Sequence, residues 1–455
     1  MHHARRLTAA ALAVVVCIGL AGCSSSGSTA SKGGSTTAEG GAGTTLKVPA
    51  DYATIQKAVD AAKPGSLILV SPGVYKEAVN VTTDNLVIRG TDRNEVILDG
   101  GFKLTNGIRV LSAKGVAVEN MTARNYKSNG FYWTGVEGYR GSYLTAYNNG
   151  DYGIYSYDAV NGVFEHSYGS GSPDAGVYVG GCNPCNVLIN DVVSEYNGLG
   201  YSGTNSGGNL IIANSTFRHN RAGIVPNTGS YEPCYPERGD TIVGNLIYDN
   251  NYDSGPAIDS ARLAQENGIV VAGGWDNQII RNRVDNHNLG GIVLVPFPET
   301  NASDVEPTKP AATCADQPKP AKDLKIPETV LWNARNNVVK GNVVTNSKLT
   351  DLGAFDSDAS HGNCFADNTF TKSTPADIEK LEPCTGTGTG DFTKDPLDVG
   401  KLIARTTPPS GDYRTQPKPP AQKNMPNALT AKAVRAGAPP KFDVDAVKVP
   451  DLPKS

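Results

Sequence analysis

A glycine followed by an apolar or aromatic residue recurs along the chain at a nearly constant interval of about 23 residues. One later interval, between Gly223 and Gly268, is about twice as long. Each single interval is too short for a pair of helices and is rich in β-branched residues, Asn and Gly. A fixed period of this kind predicts a solenoid with one coil per period, built from short parallel strands. The pairs are Gly107-Ile108, Gly130-Phe131, Gly153-Ile154, Gly176-Val177, Gly200-Tyr201, Gly223-Ile224, Gly268-Ile269 and Gly291-Ile292.

A second apolar strand in each coil is followed by a polar residue at one place. Coils in such a stack lie about 4.8 Å apart, so these side chains are expected to hydrogen-bond from coil to coil as a ladder. Because the repeat itself requires them, we interpret them as structural rather than catalytic. They are Asn120, Asp191, Asn214, Asn245, Asn282 and Asn342.

Both ends of the repeat region carry a different pattern. Ile55, Ala58, Val59 and Ala62 have helical spacing and predict a short helix that caps the open end of the first coil. Residues 385–455 are rich in Pro, lack the repeat, and are typical of an extended strap or a disordered arm.

The N-terminus resembles an export signal. Residues 1–22 combine a basic start with an apolar run that is too short to span a bilayer. The run ends in "LAGC", which resembles a bacterial lipobox and predicts that Cys23 is lipidated and anchors the protein to the outer face of the cell membrane. An ordinary secretory signal is the alternative. Residues 23–46 are rich in Ser, Gly and Thr and predict a flexible tether before a domain at 47–384.

Charge and cysteine content narrow the class further. The formal net charge is -4 and no basic stripe is visible, so nucleic acid is not an expected partner. We expect the protein to be a monomer. Six cysteines remain after Cys17 and Cys23, an even number that suggests disulfides in an exported chain. Cys182 and Cys185 form a CxxC, which could serve redox or zinc chemistry, although export favours a structural bridge.

The "TIQ…PGVY" opening followed by Gly-Ile coils resembles the right-handed parallel β-helix superfamily, which includes pectate lyases, pectin methylesterases, alginate epimerases and the carbohydrate-binding and sugar-hydrolase domain. The resemblance covers residues 47–372 and implies an all-β solenoid. It does not fix the chemistry, because this fold carries many functions. "SPDAGVYVGGCNPCN" is similar to a segment of actinobacterial β-helix lipoproteins.

Tyrosines recur with the same period as the glycines. Tyr132, Tyr155 and Tyr178 are each separated by one such period and, with Tyr157, are expected to point outward. Such a column would either shield the sheet as a ladder or offer aromatic faces to sugar rings. We favour the second interpretation because polar residues flank the column.

Asp151 and Asp174 are also one period apart and are expected to lie side by side. They could act as a proton donor and acceptor pair or share a Ca²⁺ ion, or they could be simple turn formers. Arg109 precedes the tyrosine column and could neutralise a substrate carboxylate. His166 is a further candidate for proton transfer, but its register predicts a turn.

Three insertions are expected to wall the tyrosine face. Residues 229–239 and 296–330 leave from one edge and residues 252–265 enter from the other. We therefore pair Cys234 with Cys314, and we pair Cys364 with Cys384 in a C-terminal cap whose helix begins at Thr374-Pro375. Val225, Val270 and Val293 would form an apolar floor that the loops could simply cover.

Two functions are compatible with these features. The first is a surface lipoprotein that binds, and could process as a lyase, epimerase or hydrolase, an acidic polysaccharide. The second is a non-catalytic structural or accessory module of the cell envelope.

Overall fold

A computed structural model describes residues 43–355, 361–389, 398, 400–401 and 404–453 of the 455-residue chain. The predicted signal peptide at 1–22, Cys23 and residues 24–42 of the tether lie outside these ranges. The first strand begins at Thr45. Among the described residues, none of the helices has the length and hydropathy needed to span a bilayer.

The described chain winds through three strand columns in each coil, which we call the first, second and third faces. All pairing along these columns is parallel, and the long strands β8 and β10 run through the corner between the first two faces. The first face contains β1 (Thr45–Val48), β2 (Leu67–Val70), β5 (Val87–Gly90), β8 (Lys114–Arg124), β10 (Glu137–Tyr147), β12 (Val160–Glu165), β15 (Val187–Asn190), β18 (Gly207–Ala213), β21 (Arg238–Val243), β24 (Gln278–Ile280), β29 (Val338–Lys340) and β32 (Cys364–Ala366). The second face contains, besides β8 and β10, β3 (Gly73–Tyr75), β6 (Val96–Asp99), β13 (Tyr168–Ser170), β16 (Val193–Glu195), β19 (Thr216–Arg218), β22 (Leu246–Tyr248), β25 (Arg283–Asp285) and β30 (Val343–Thr345).

The third face is an 11-stranded parallel sheet in which the predicted Gly-apolar pairs lie. Ile154, Val177 and Ile224 are fully buried in the core enclosed by the coils, whereas the residues that follow them point outward. The predicted parallel β-solenoid with coils of about 23 residues is therefore confirmed. Its strands are β4 (Val79–Val81), β7 (Ile108–Leu111), β9 (Phe131–Thr134), β11 (Tyr152–Tyr157), β14 (Ala175–Gly180), β17 (Leu199–Thr204), β20 (Ala222–Asn227), β23 (Ile269–Ala272), β26 (Gly290–Val295), β31 (Thr350–Ala354) and β33 (Ser373–Thr374).

A short helix, α1 (Ile55–Ala61), covers the first coil as the sequence predicts. The Thr54 hydroxyl accepts a hydrogen bond from the Lys57 amide at 3.1 Å and caps the helix. Ile55, Ala58 and Val59 are buried, which shields the apolar interior of the first coil from water.

An asparagine ladder exists, but the prediction merged two adjacent positions. Asn245, Asn282 and Asn342 form the ladder, with amide-to-carbonyl distances of 3.0 Å from coil to coil. Asn214 is exposed with φ at 48°, and the ladder position in its coil is taken by the next residue, Ser215. Asn120 and Asp191 are likewise left-handed turn residues, at φ 55° each. Asn is common at both positions because its side chain tolerates the left-handed region and also bonds backbone groups.

The insertions lie at the edges of the third face. Residues 252–265 contain α2 (Asp259–Leu263), and residues 296–330 open the antiparallel hairpin of β27 (Phe297–Thr300) and β28 (Thr329–Trp332). The predicted disulfides are present in the described residues: Cys182–Cys185, Cys234–Cys314 and Cys364–Cys384.

The C-terminal cap helix differs from its prediction. Helix α3 (Ile378–Leu381) begins three residues after Pro375, not at Thr374-Pro375. Asp377 precedes the helix in the left-handed conformation, with φ at 58°, so the helical backbone cannot extend back to the proline.

Residues 404–453 form a strap against the solenoid, one of the two alternatives that the Pro-rich composition left open. The Arg89 guanidinium, buried beside Glu119, donates to the carbonyl of Ala431 at 2.6 Å. Arg221 donates to Pro408 at 2.9 Å, and Arg281 donates to Val447 at 2.8 Å. Arginine side chains of the coils thus find acceptors on the strap backbone, which has few internal hydrogen bonds of its own.

Candidate functional site

Three tyrosines of the third face form a stacked column. Tyr132, Tyr155 and Tyr178 are register partners in consecutive coils. Their ring centroids are 5.0 and 4.7 Å apart, with interplanar angles of 9° and 14°. The predicted column therefore exists. Because the rings stack on one another, most of their faces are covered and their edges and hydroxyls point away from the sheet.

Solvent exposure differs along the column, and Tyr178, predicted to point outward and bind the ligand, is buried. Tyr178 is only 1% exposed, because the insertion at 229–239 covers it; the Tyr178 hydroxyl donates a hydrogen bond to Glu232 Oε2 at 2.7 Å. Tyr132, Tyr155 and Tyr157 are half-buried, and the rings of Tyr155 and Tyr157 lie 6.3 Å apart. Only these three offer their hydroxyls outward; we call them the tyrosine row.

The two predicted carboxylates lie in adjacent coils. The Asp174 amide donates to the Asp151 carbonyl at 3.2 Å, and the Tyr152 hydroxyl donates to Asp174 Oδ2 at 2.7 Å. Burial raises the pKa of Asp151 to about 6. Burial also raises the pKa of Asp174 to about 7; the hydrogen bond from Tyr152 opposes this shift, and the charges of Asp151 and Glu232 add to it.

Glu232 is a third carboxylate that sequence reasoning missed. It lies in the insertion at 229–239, where the Asn205 amide holds its carbonyl at 2.8 Å and the Cys234–Cys314 disulfide fixes the loop. Burial raises its pKa to about 7, against the hydrogen bond from Tyr178. Cys234, two residues later, indicated that a disulfide holds this loop in place. The direction of a side chain in an insertion cannot be predicted from periodicity, so Glu232 was not identified.

Arg109 and His166 are not brought to the carboxylates. Arg109 is the register partner of Tyr132, so it lies two coils before Asp151, and its Nε donates to Asn80 Oδ1 at 3.0 Å. No salt bridge of Arg109 occurs within the described part of the chain. His166 adopts a left-handed turn with φ at 49° and bonds Asp191 at 2.6 Å.

A cavity of about 280 Å³ lies on the outer side of the third face, next to the covered end of the column. Its floor includes Val225, Val270 and Val293, which are 4–5% exposed. The loops therefore cover the predicted apolar floor, and the cavity lies between the loops and these valines. Asp174 and Glu232 are the two carboxyl groups among its lining residues.

A calcium ion between Asp151 and Asp174 is not favoured by this environment. Ca²⁺ takes six to eight oxygen ligands, more than these two carboxyl groups supply. In the ranges that the structure describes, no group of three or more His, Cys, Asp or Glu side chains is placed to hold a metal ion.

Comparisons with known proteins concern the fold of this chain. Residues 106–296 match the family model described as a right handed beta helix region. The chain is similar to the A-module of a mannuronan C-5 epimerase from Azotobacter vinelandii (14% identity, TM-score 0.43, covering 70% of this chain and 90% of that one). It is also similar to a pectin methylesterase from Erwinia chrysanthemi (12%, 0.35, 81% and 98%) and to an alginate lyase (14%, 0.39, 73% and 52%). Curated protein sequences gave no match. Residues 106–296 thus form a right-handed β-helix region, and the distant likenesses to solved structures do not extend to substrate.

Proposed function

We propose that the protein binds an acidic polysaccharide along the third face, at the tyrosine row and Arg109. The supporting observation is that the hydroxyls of Tyr132, Tyr155 and Tyr157 make no hydrogen bond with the described residues, although all three rings are held by stacking. A row of fixed phenol groups can donate to and accept from successive sugar hydroxyls.

Arg109 supports an acidic rather than a neutral glycan. It continues the column beyond Tyr132, and its described partner is the neutral side chain of Asn80. A guanidinium that lacks a carboxylate partner can bind a uronate carboxylate through two parallel hydrogen bonds. The ring face of Tyr132 that does not contact Tyr155 lies on the Arg109 side, where it can contact the apolar face of the same sugar.

Binding rather than turnover is the function that this geometry supports best. Arg109 lies two coils from Asp151, so the three residues predicted to be catalytic, Arg109, Asp151 and Asp174, do not surround one point. Processing of the glycan, as a lyase, epimerase or hydrolase, stays a prediction. Release of unsaturated or reducing ends from polyuronates by the full chain would establish it.

The test removes only the hydroxyls of the tyrosine row. The triple variant Tyr132→Phe/Tyr155→Phe/Tyr157→Phe keeps the stack, and we expect polyuronate binding to weaken at least about tenfold, since each hydrogen bond contributes about 0.5–1.5 kcal/mol. Tyr52→Phe, at the N-terminal cap, is the matched control and should bind as the unmodified protein does. Unchanged binding by the triple variant would contradict the proposal.

Arg109 has its own test. We expect Arg109→Gln to weaken binding to polygalacturonate and to leave binding to neutral dextran unchanged. Equal affinity of the unmodified protein for both polymers would exclude the acidic class and favour the alternative of a structural envelope module.

We also propose that Cys23 carries a lipid anchor on the outer face of the membrane. The lipobox resemblance and the Ser/Gly/Thr-rich segment that follows support this location. Metabolic labelling with a fatty acid should mark the protein, and Cys23→Ala should abolish the label. Labelling that persists in the Cys23→Ala variant would refute this assignment.

A further inference from the structure

The cavity beside the column has the features of a separate binding site for a small molecule. Besides the valine floor, its walls include Ile258 near α2 and Phe297 of the hairpin. The volume of about 280 Å³ is near the lower end of known ligand pockets.

The cavity reaches the surface between two of its own lining side chains. Leu263 of α2 is 45% exposed, and Tyr231 of the opposite loop is 56% exposed. Exposed apolar groups at the mouth of an apolar cavity are unfavourable in water unless a ligand covers them. A molecule can therefore enter between α2 and the insertion at 229–239.

Two carboxyl groups line the cavity, and each has one oxygen without a hydrogen-bond partner in the described chain. Asp174 is 7% exposed; Oδ2 accepts from Tyr152, and Oδ1 has no hydrogen-bond partner in the described chain. Glu232 follows the same pattern: Oε2 accepts from Tyr178, and no described residue bonds Oε1. No Lys or Arg is among the described residues that line the cavity. Both oxygens are open to the cavity, so they are free to accept hydrogen bonds from a bound molecule.

We propose that this cavity binds a small amphiphile with an apolar body and a protonated amine, the body on the valine floor and the ammonium between Asp174 and Glu232. An ammonium has three donors and no acceptor, which matches two unpartnered carboxyl oxygens. A carboxylate head would repel the same groups. A hydroxyl head could donate only one hydrogen bond and would leave one oxygen without a partner.

The inference does not depend on glycan binding. The tyrosine row and Arg109 lie outside the residues that line the cavity, and their Phe and Gln variants leave the cavity intact. Failure of either proposal is therefore recognisable without the other.

Three probes of equal chain length test it on the full chain by calorimetry at neutral pH: n-hexylamine, hexan-1-ol and hexanoate. We expect saturable binding of the amine, about tenfold or more tighter than that of the alcohol, because hydrogen bonds to charged groups are worth about 1.5–3 kcal/mol. Hexanoate should bind more weakly than the alcohol. Equal binding of amine and alcohol, preference for hexanoate, or no saturable binding would each overturn the proposal.

Variants locate the bound probe. Glu232→Gln and Asp174→Asn keep the shape of the side chain and remove its charge, and each should reduce the preference for the amine several-fold. Ala264→Phe, at a lining position near α2, should block all three probes. Asp367→Asn, at an exposed site outside the cavity, is the control. Amine binding that survives Ala264→Phe and Asp174→Asn alike would place the amine elsewhere and refute the site.

Discussion

Burial of Asp174 predicts how the stability of the solenoid depends on pH. The pKa of this carboxyl group is raised from 3.8 to about 7, chiefly by desolvation. The unfolded chain releases the proton near pH 4, so between about pH 4 and pH 7 the folded state binds more protons than the unfolded state. The free energy of unfolding must therefore fall as the pH rises through this interval. The stabilisation is fully present below the unfolded pKa and is lost above the folded one.

The size of the effect follows from the two pKa values. A difference of about 3 pK units corresponds to about 4 kcal/mol, at 1.36 kcal/mol for each unit. Asp174→Asn cannot ionise, and its amide oxygen can still accept the hydrogen bond from Tyr152. As the pH rises from 4 to 8, the free energy of unfolding of the variant should therefore increase by about 4 kcal/mol relative to that of the unmodified protein.

Urea unfolding followed by circular dichroism at several pH values measures this difference. Other buried groups, including Asp151 and Glu232, contribute slopes of the same sign to both proteins, so most of their effect cancels in the difference. Asp367→Asn, which removes an exposed carboxylate, should follow the unmodified protein. Parallel stability curves for Asp174→Asn and the unmodified protein would show that burial does not raise the pKa of this carboxyl group and would refute the prediction.

Three further predictions concern the groups that support the site. Burial lowers the pKa of His287 to about 3, so the free energy of unfolding should fall by up to about 5 kcal/mol as the pH falls from 6.5 to 3. The His287→Asn side chain does not titrate and can still accept the hydrogen bond from Asn250, so this variant should remove most of that loss in acid unfolding curves. Replacing Cys234 and Cys314 by Ser should weaken hexylamine binding while far-UV circular dichroism stays unchanged, because the disulfide fixes the loop that carries Glu232; undiminished binding would contradict this role. Asn282→Leu should lower the free energy of unfolding by about 1–3 kcal/mol, since it leaves buried partners in two neighbouring coils unpaired, and an unaffected urea midpoint would argue against the ladder.

The repetitive part of the molecule could be predicted from the sequence because one physical rule governs it. Residues one coil apart become neighbours, so the spacing of Tyr132, Tyr155 and Tyr178 was enough to predict their column. The same rule placed two insertions at one edge and so paired Cys234 with Cys314. The faces of the solenoid and the pairing register of its strands could thus both be predicted from the periodicity.

The site itself depends on segments that do not repeat, and there the sequence was less informative. Glu232 was missed, and the burial of Tyr178 beneath it was not foreseen, because the path of an insertion depends on its tertiary contacts. The stacking of ring faces, which turns a predicted aromatic platform into a row of hydroxyls, depends on side-chain rotamers. The ladder was misplaced by one residue at Asn214, since the same residue type satisfies the turn and the ladder.

The C-terminal strap links the completion of the first coils to the last part of the chain. Arg89 and Arg93 belong to early coils, yet they donate to carbonyls of residues 342 and 330 positions later, Ala431 and Lys423. Coils can stack one after another as the chain leaves the ribosome, but these two guanidinium groups obtain their last acceptors only when synthesis is nearly finished. A protein that is otherwise assembled from neighbour to neighbour is therefore tied, by its final segment, into a unit whose beginning cannot be completed before its end.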